Sequence, residues 1–548
     1  MTYEQYSKII IGFLIKLRAK ESFKLHESSF YSPFLGDRKD SLANKLHPCY
    51  QLLPPRRSWA KVSENFRRSH NLTQVIEERL KLTVMSDYRS AEALGHFQSL
   101  EYIEKLEDFI RDGWERFLDY YLEAPKIAFI PKDKTYSRPI TLYKDIDRFN
   151  IGIWARRLTD LMEPHLSDSA VAFRGIDFRR VCSLNNHHQV FALIVRFWQH
   201  HYQGKGKEIW VAEADVKGFF DNVSKSNVIN YFPDHLYEKP PPYIGSYLST
   251  YSFYDYLLRE AKRSDVRVKN YREDMELLDP NFDPTNYGVP QGGALSCVIA
   301  NMVFDPIDKA IESLASGRHL LYLRYCDDMI LMSPDKGLLS AAFDTYCGMC
   351  QQLKIPVHKA SVVSSYDKSF WSLKSKAPYR LGAQSGDVPW FSFLGYQMSH
   401  EGKLRMRSAS IHKELTAQKE IVDQVLYSLH TGNLNEKQQQ DLPVIAKVEA
   451  RFYKRISGLV QSNKLKGGGF SWSNGFSLMT DSRYDIETNQ LKLLDRKKQK
   501  QLRRLVRRGH KMPSFTSSYY AYVKGARYRS VRSTTNNNET ISIDSGAI

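Results

Sequence analysis

The 548-residue chain carries 79 Lys and Arg against 61 Asp and Glu, a formal net charge of +18, and such a basic surface supplies the sequence-independent, salt-sensitive part of nucleic-acid binding. Six cysteines are too few for a disulfide-stapled scaffold and read as the reduced thiols of a cytoplasmic protein. With 42 % hydrophobic residues the chain can bury a large core spread over several lobes, and the 13 % aromatics suffice for some base stacking, although most will simply pack.

In chain order, residues 1 to about 120 read as a helical N-terminal extension. The apolar run Ile9 to Ile15 is too short to span a bilayer and lacks the basic start and cleavage site of a secretion signal, so no membrane is expected. Leu14, Leu17 and their neighbours form one face of an amphipathic helix, and further helical segments run from Thr73 to Leu82 and from Ala91 to Leu118, with a Pro-containing loop at His47 to Trp59. Ile209 to Glu213 is a strand pattern that runs into Asp215, where an acidic residue ends the apolar stretch. Ser224 to Tyr287 is a long connection in which Lys239-Pro240-Pro241-Pro242 makes a stiff break. Five tyrosines follow from Tyr243 to Tyr256, and they read chiefly as helix packing.

Gly288 to Ser296 is a glycine-rich loop in which the glycines let backbone approach a flat ligand closely and Gln291 offers an amide to a base or sugar edge. A helical pattern through Val298, Ile299, Met302 and Val303 should end or kink near Pro306. From Leu320 to Met332 two apolar runs flank an arginine and Tyr325-Cys326-Asp327-Asp328, a strand-turn-strand pattern. Adjacent carboxylates there fit two readings equally, a turn rich in Asp or a site for Mg²⁺ with substrate phosphates. Asp215 is placed to complete the carboxylate set, as a two-metal phosphoryl transfer site requires. Cys347-Gly348-Met349-Cys350 lacks a second ligand pair for zinc and reads as two small hydrophobes on a helix.

Together these segments carry a resemblance. Asp215 to Val223 (DVKGFFDNV) resembles motif A of reverse transcriptases, Gly288 to Ser296 (GVPQGGALS) resembles motif B, and Tyr325 to Asp328 (YCDD) resembles the YxDD of motif C, in the family's order. Ile130-Pro131-Lys132 with Arg138-Pro139-Ile140 resembles the fingers motif, Lys359 that of motif D, and Phe393-Leu394-Gly395-Tyr396 the primer grip of the prokaryotic branch, whose palm is that of group II intron and retron enzymes. The resemblance spans roughly residues 125 to 400.

It implies an α+β right-hand polymerase: fingers and palm with an antiparallel sheet over 121–400, a helical thumb over 401–470, and helical extensions at both ends. It implies an RNA-directed DNA polymerase using dNTPs and two Mg²⁺ ions, with an RNA template and a DNA product. Asp215, Asp327 and Asp328, with the Val216 carbonyl, would hold metal. Lys132 and Arg138 would neutralise the triphosphate, Phe220 would crowd the sugar 2′ position, Gln291 would touch the nascent base pair, and Lys359 would protonate pyrophosphate. Phe393, Leu394 and Gly395 would grip the primer. Cys326 departs from the usual Ala, Val or Met, and a small thiol should fit.

Beyond the thumb, 471–530 reads as a basic C-terminal extension and 531–548 as a disordered tail. Leu491 to Met512 interleaves leucines with Arg496, Lys497, Lys498, Arg503, Arg504, Arg507 and Arg508; beside a polymerase this favours nucleic-acid backbone over a merely solvated helix face. With no endonuclease, RNase H or protease segment legible, the chain is most similar to bacterial defence-associated or abortive-infection reverse transcriptases, which often work with a noncoding RNA. An intron maturase, or template-independent or protein-primed synthesis, are the alternatives. A homo-oligomeric state is left open.

Overall fold

The computed structural model describes residues 1–29, 51–70, 72–94, 101–119, 121–123, 125–131, 137–174, 187–201, 208–224, 226–228, 231, 272–283, 286–360, 368–431, 444–457, 476, 486–510, 512 and 516–521. The proline run, the Tyr243 to Tyr256 cluster and the tail after Ser530 lie outside them. Two compact units divide the chain: one joins Met1–Trp114 to Leu404–Asn538, and the other is built on Glu115–Lys403.

The first unit is helical because its apolar residues recur at helical spacing. Helix Tyr3–Ser29 buries Tyr6, Ile10 and Leu14 and packs on helix Leu72–Leu94, whose Val75, Ile76, Leu80 and Val84 face inward. Trp114, on helix Glu101–Leu118, closes that core with ring centroids 5.9 Å from Tyr3 and 5.3 Å from Tyr6. The two helices expected over Thr73 to Leu82 and Ala91 to Leu118 thus have different limits: the first runs on to Leu94, and the second begins at Glu101. In the C-terminal part of this unit, helix Ser408–Thr431 packs on helix Asn489–Val506, which buries Leu491, Leu494, Leu502 and Leu505. Helix Val444–Ser457 completes the group of helices described there.

The second unit opens with an antiparallel hairpin, β1 (Lys126–Pro131) and β2 (Ser137–Leu142), in which Ile130 pairs with Arg138. Its centre is a four-stranded antiparallel sheet. The strands are β3 (Ile209–Ala214), β4 (Leu321–Tyr325), β5 (Asp328–Ser333) and β6 (Lys376–Leu381), in spatial order β4-β5-β3-β6. Almost every residue of β3 and β5 is buried, which is why both read as continuous apolar runs rather than alternating ones. Helix Lys336–Gln352 packs on β3, β5 and β6, and it carries Cys347 and the buried Cys350 as free thiols. A further hairpin, β7 (Trp390–Phe393) with β8 (Tyr396–Ser399), turns through Leu394 and Gly395.

Of the two outcomes expected at Pro306, an end or a kink, the first does not occur: helix Ala294–Ala315 runs through it. Proline deprives the Met302 carbonyl of its helical donor, yet Val303, Phe304, Ile307 and Ile311 are all buried. Tertiary burial of this face on both sides of the proline outweighs one lost backbone bond.

Candidate active site

The site begins with sheet register. β3 pairs with β5 so that Ala214 faces Met329, and one step further the register brings Asp215 opposite Asp328. β4 and β5 are joined by Cys326 and Asp327 alone, with Tyr325 paired to Asp328 and Cys326 held at φ 62°. A turn this short keeps Asp327 close to the end of β3. Burial pushes the Asp327 carboxyl pKa up, the Asp215 charge pushes it further, and Arg138 on β2 opposes both. Asp215, Asp327 and Arg138 therefore share one electrostatic site, with Asp328 exposed beside it. Burial also pushes the Cys326 thiol up, so it stays protonated and inert.

The other edge of Asp215 holds residues that no local pattern announces. Segment 356–358 runs antiparallel to it: the Lys217 amide donates to the Pro356 carbonyl at 2.7 Å and the His358 amide to the Asp215 carbonyl at 3.0 Å. In that pattern the N–H and C=O of Val216 point away from the segment, toward the side on which β5 lies. Lys374 Nζ and His358 Nε2 stand 3.7 Å and 3.9 Å from Asp215 Oδ2 and 3.2 Å from each other. Lys359 is exposed next to His358, and Lys132 lies outside the described residues.

Two hard carboxylates, of which the Asp215 charge raises the Asp327 pKa, with a backbone carbonyl on the same side, are the donor set that suits a divalent cation such as Mg²⁺. Asp215, Asp327 and the Val216 carbonyl fit such an ion. Among the described residues no group of three or more His, Cys, Asp and Glu gathers at metal-binding distance, so Asp328 does not join them in this conformation.

The glycine-rich loop stitches this edge to its neighbours. The Val289 amide donates to the Phe220 carbonyl at 2.7 Å and the Thr141 amide of β2 to the Gln291 carbonyl at 2.8 Å, while Gln291 Nε2 donates to Asp221 Oδ1 at 2.7 Å. Gly292 has a role within the fold, besides the close approach to a flat ligand expected of the loop glycines. At φ 99° its missing Cβ would lie 3.2 Å from Ile140 Cγ2 and 3.3 Å from the Thr141 carbonyl, so it lets the loop approach β2 closely. Gly292→Ala should therefore cost about 1–3 kcal/mol of stability, read as a lowered thermal unfolding midpoint.

Beneath the turn lies a buried cation. Arg324 on β4 is fully buried and bidentate to Asp308 of helix Ala294–Ala315, with Nε to Oδ1 at 2.9 Å and Nη2 to Oδ2 at 2.6 Å. Its Nη1 donates to the Cys326 carbonyl at 2.9 Å and to Asn301 Oδ1 at 3.2 Å. The guanidinium also lies over the Phe304 ring, 4.7 Å from its centroid, and the Tyr322 hydroxyl donates to the same Asp308 at 2.7 Å. Burial alone would lower the Arg324 pKa; Asp308 reverses this and raises it. The glycine-loop helix thereby grips the carbonyl of the turn that carries Asp327.

Convergent carboxylates at strand ends, a basic β2 and a loop tied to both agree with comparison to known families: residues 130–398 match the family described as reverse transcriptase (RNA-dependent DNA polymerase). The chain carries a reverse transcriptase domain. It is accordingly a nucleotidyltransferase, and the domain supports RNA-directed DNA polymerase activity. No curated protein matches the chain. Among solved structures, telomerase from Candida albicans in complex with a TWJ fragment of telomeric RNA is similar at 12% identity, covering 80% of this chain and 67% of that one with a TM-score of 0.34. Apo telomerase from Candida tropicalis is similar at 12% identity, covering 80% and 73%, with a TM-score of 0.34.

Within the reverse transcriptase domain, the expected primer-grip residues divide by burial. Phe393 is buried and packs in the core, while Leu394 at φ 48° and Gly395 at φ 86° form the turn between β7 and β8. Tyr396 behind them bonds His188 Nδ1 at 2.7 Å, and burial, reinforced by His187, pushes the His188 pKa down to about 3. Outside the domain, Arg496, Lys497, Arg503, Arg507 and Arg508 are exposed on or just after helix Asn489–Val506. Two members of that expected set depart from it. Lys498 is fully buried, donating to Glu449 at 2.8 Å and to Ser517, because its position falls on the leucine face of the helix. Arg504 is tied to Asp423 at 2.6 Å.

Proposed function

We propose that this chain extends a DNA strand on an RNA template, that the template is an associated noncoding RNA, and that the product serves antiphage defence in the bacterial cytoplasm. The observation that carries the polymerase reading is the shared field of Asp215, Asp327 and Arg138 at the ends of three strands. The defence reading rests on the resemblance of the motifs, together with a helical unit and an exposed basic helix that accompany the domain.

Two Mg²⁺ ions, when bound to Asp215, Asp327 and the Val216 carbonyl, would supply activation of the 3′-oxygen and charge neutralisation at the pyrophosphate. The chain's own residues do the rest. Arg138 offsets triphosphate charge from the β2 side, a role it would share with Lys132. Asp328, at the exposed rim, becomes a ligand only if the turn shifts on loading. Gln291 is tethered to Asp221, the residue after Phe220, so the loop that meets the base pair and the aromatic that crowds the sugar are coupled. Lys359 at the exposed edge would give a proton to pyrophosphate, and Leu394 and Gly395 would meet the primer backbone. The exposed arginines of helix Asn489–Val506 would hold nucleic-acid phosphates.

The test is to purify the chain, sequence the RNA that accompanies it, and supply that RNA with a DNA primer, dNTPs and Mg²⁺. Extension with a product complementary to the RNA is expected; no incorporation removes the polymerase reading, and a product unrelated to the RNA removes the template. Phe220→Ala should raise ribonucleotide use relative to deoxynucleotide by about 10- to 200-fold, the range for a small steric change in a pocket. Competition between labelled dNTP and rNTP reads it, and unchanged discrimination would remove Phe220 as the gate.

A further inference from the structure

The first compact unit carries a half-open cleft of about 320 Å³ in its N-terminal part, at the lower end of the roughly 300–1,000 Å³ usual for small-molecule sites. Arg56, Arg67 and Arg79 all line it, and among the described residues no Asp or Glu does. Three guanidiniums gathered without a counter-charge repel one another. The Arg79 pKa is accordingly lowered, by burial first and then by the charges of Arg56 and Arg67.

The fold holds Arg79 in this unfavourable place with several contacts. Its Nε donates to the Ala60 carbonyl at 2.7 Å and its Nη2 to the Trp59 carbonyl at 3.2 Å. Its guanidinium also lies over the Trp59 ring, 5.7 Å from the centroid. Trp59 is itself buried and donates its indole N–H to the Pro54 carbonyl at 2.9 Å, so the platform is fixed. Of the donors a guanidinium carries, those on Nη1 have no hydrogen-bond partner among the described residues. Arg68 on the same short helix is neutralised by Glu64 at 3.2 Å; among the described residues Arg56 and Arg67 have no carboxylate partner. Leu72, Val75 and Ile76 give the cleft one apolar wall.

We propose that this cleft is a second nucleotide site, separate from the polymerase centre, which takes a phosphate on Arg56, Arg67 and Arg79 and lays the attached nucleoside against the Leu72–Val75–Ile76 wall. An anion removes the mutual repulsion, and guanidinium forks match phosphate oxygens in geometry as well as charge. The wall gives the uncharged part of a nucleotide a surface that a bare ion would leave unused. A free mononucleotide and one unit of a single-stranded RNA present the same chemistry.

The experiment separates these two sources. The full chain is titrated in EDTA, which strips divalent cations from the polymerase centre, with AMP and with a short fluorescent single-stranded RNA over a range of salt. The variants are Arg56→Gln/Arg67→Gln, which removes two exposed and unpaired charges, and Leu72→Glu, which sets a carboxylate at the rim while keeping all three arginines. If the site takes free nucleotide, AMP binds the wild type and both variants weaken it about tenfold or more. If it takes a strand, AMP does not bind; the RNA weakens in both variants, and the slope of log affinity against log salt becomes shallower by about 0.7 for each phosphate that the protein no longer neutralises. Leu72→Glu decides the matter if the double variant does not fold. Unchanged binding of both probes, or weakened RNA binding with an unchanged salt slope, overturns the proposal.

Discussion

Asp327→Asn is expected to slow dNTP incorporation by about 10³-fold or more, the equivalent of the several kcal/mol that a correctly held divalent ion contributes to phosphoryl transfer. The same substitution should leave the melting temperature unchanged or slightly raised. Burial and the Asp215 charge both raise the Asp327 pKa, so the folded chain binds that proton more tightly than the unfolded chain does. Ionising the group at neutral pH therefore costs stability, and a neutral amide of the same shape escapes that cost. A site built for structure shows the opposite pairing, with activity preserved and stability lost. Primer extension and thermal unfolding on the same preparation distinguish the two. Incorporation within about tenfold of wild type, or a lowered melting temperature, would count against Asp327 as the residue on which the site is built.

The Asp327 hairpin was legible because both of its determinants are local. Two apolar runs flank a polar tetrapeptide, and a strand buried on both faces advertises itself as such a run. The strand ending at Asp215 was legible for the same reason, and the order of the motifs supplied the pairing that no single segment could. Arg324 was visible only as one polar letter between Leu323 and Tyr325. Its burial depends on Asp308, sixteen residues upstream on a helix, where the pattern of charges gives no sign that one carboxylate points inward. His358 and Lys374 reach Asp215 through tertiary folding alone. Lys498 shows the reverse failure: a dense run of basic residues reads as a surface, yet helical spacing places one of them on the leucine face, where Glu449 and Ser517 meet it. Gly292 and Pro306 were both recognised as special backbone, but what each was special for depended on a neighbouring element.

The buried Arg324–Asp308 pair leads to the second large effect. Asp308→Ala should destabilise the chain by about 3–5 kcal/mol, since it strands a cation that the fold has removed from water. That loss alone would not separate a structural role from a positioning one. The double variant Arg324→Met/Asp308→Leu does, because replacing both partners by apolar side chains of similar size is commonly neutral or stabilising. Its melting temperature should recover most of what Asp308→Ala loses, falling short of wild type because the buried Tyr322 hydroxyl is left without Asp308, while the Cys326 carbonyl stays without the guanidinium that now holds it at 2.9 Å. With that tether gone, the turn can drift relative to β3, and displacement of a reacting group by about 1 Å costs on the order of 10²-fold in rate. The double variant is therefore expected to be stable, to bind dNTP with little change in KM, and to lose about 10²-fold in kcat. Full recovery of kcat along with stability would mean that Arg324 merely fills the core, whereas a stable but slow enzyme would show that the cation beneath the turn sets where Asp327 stands.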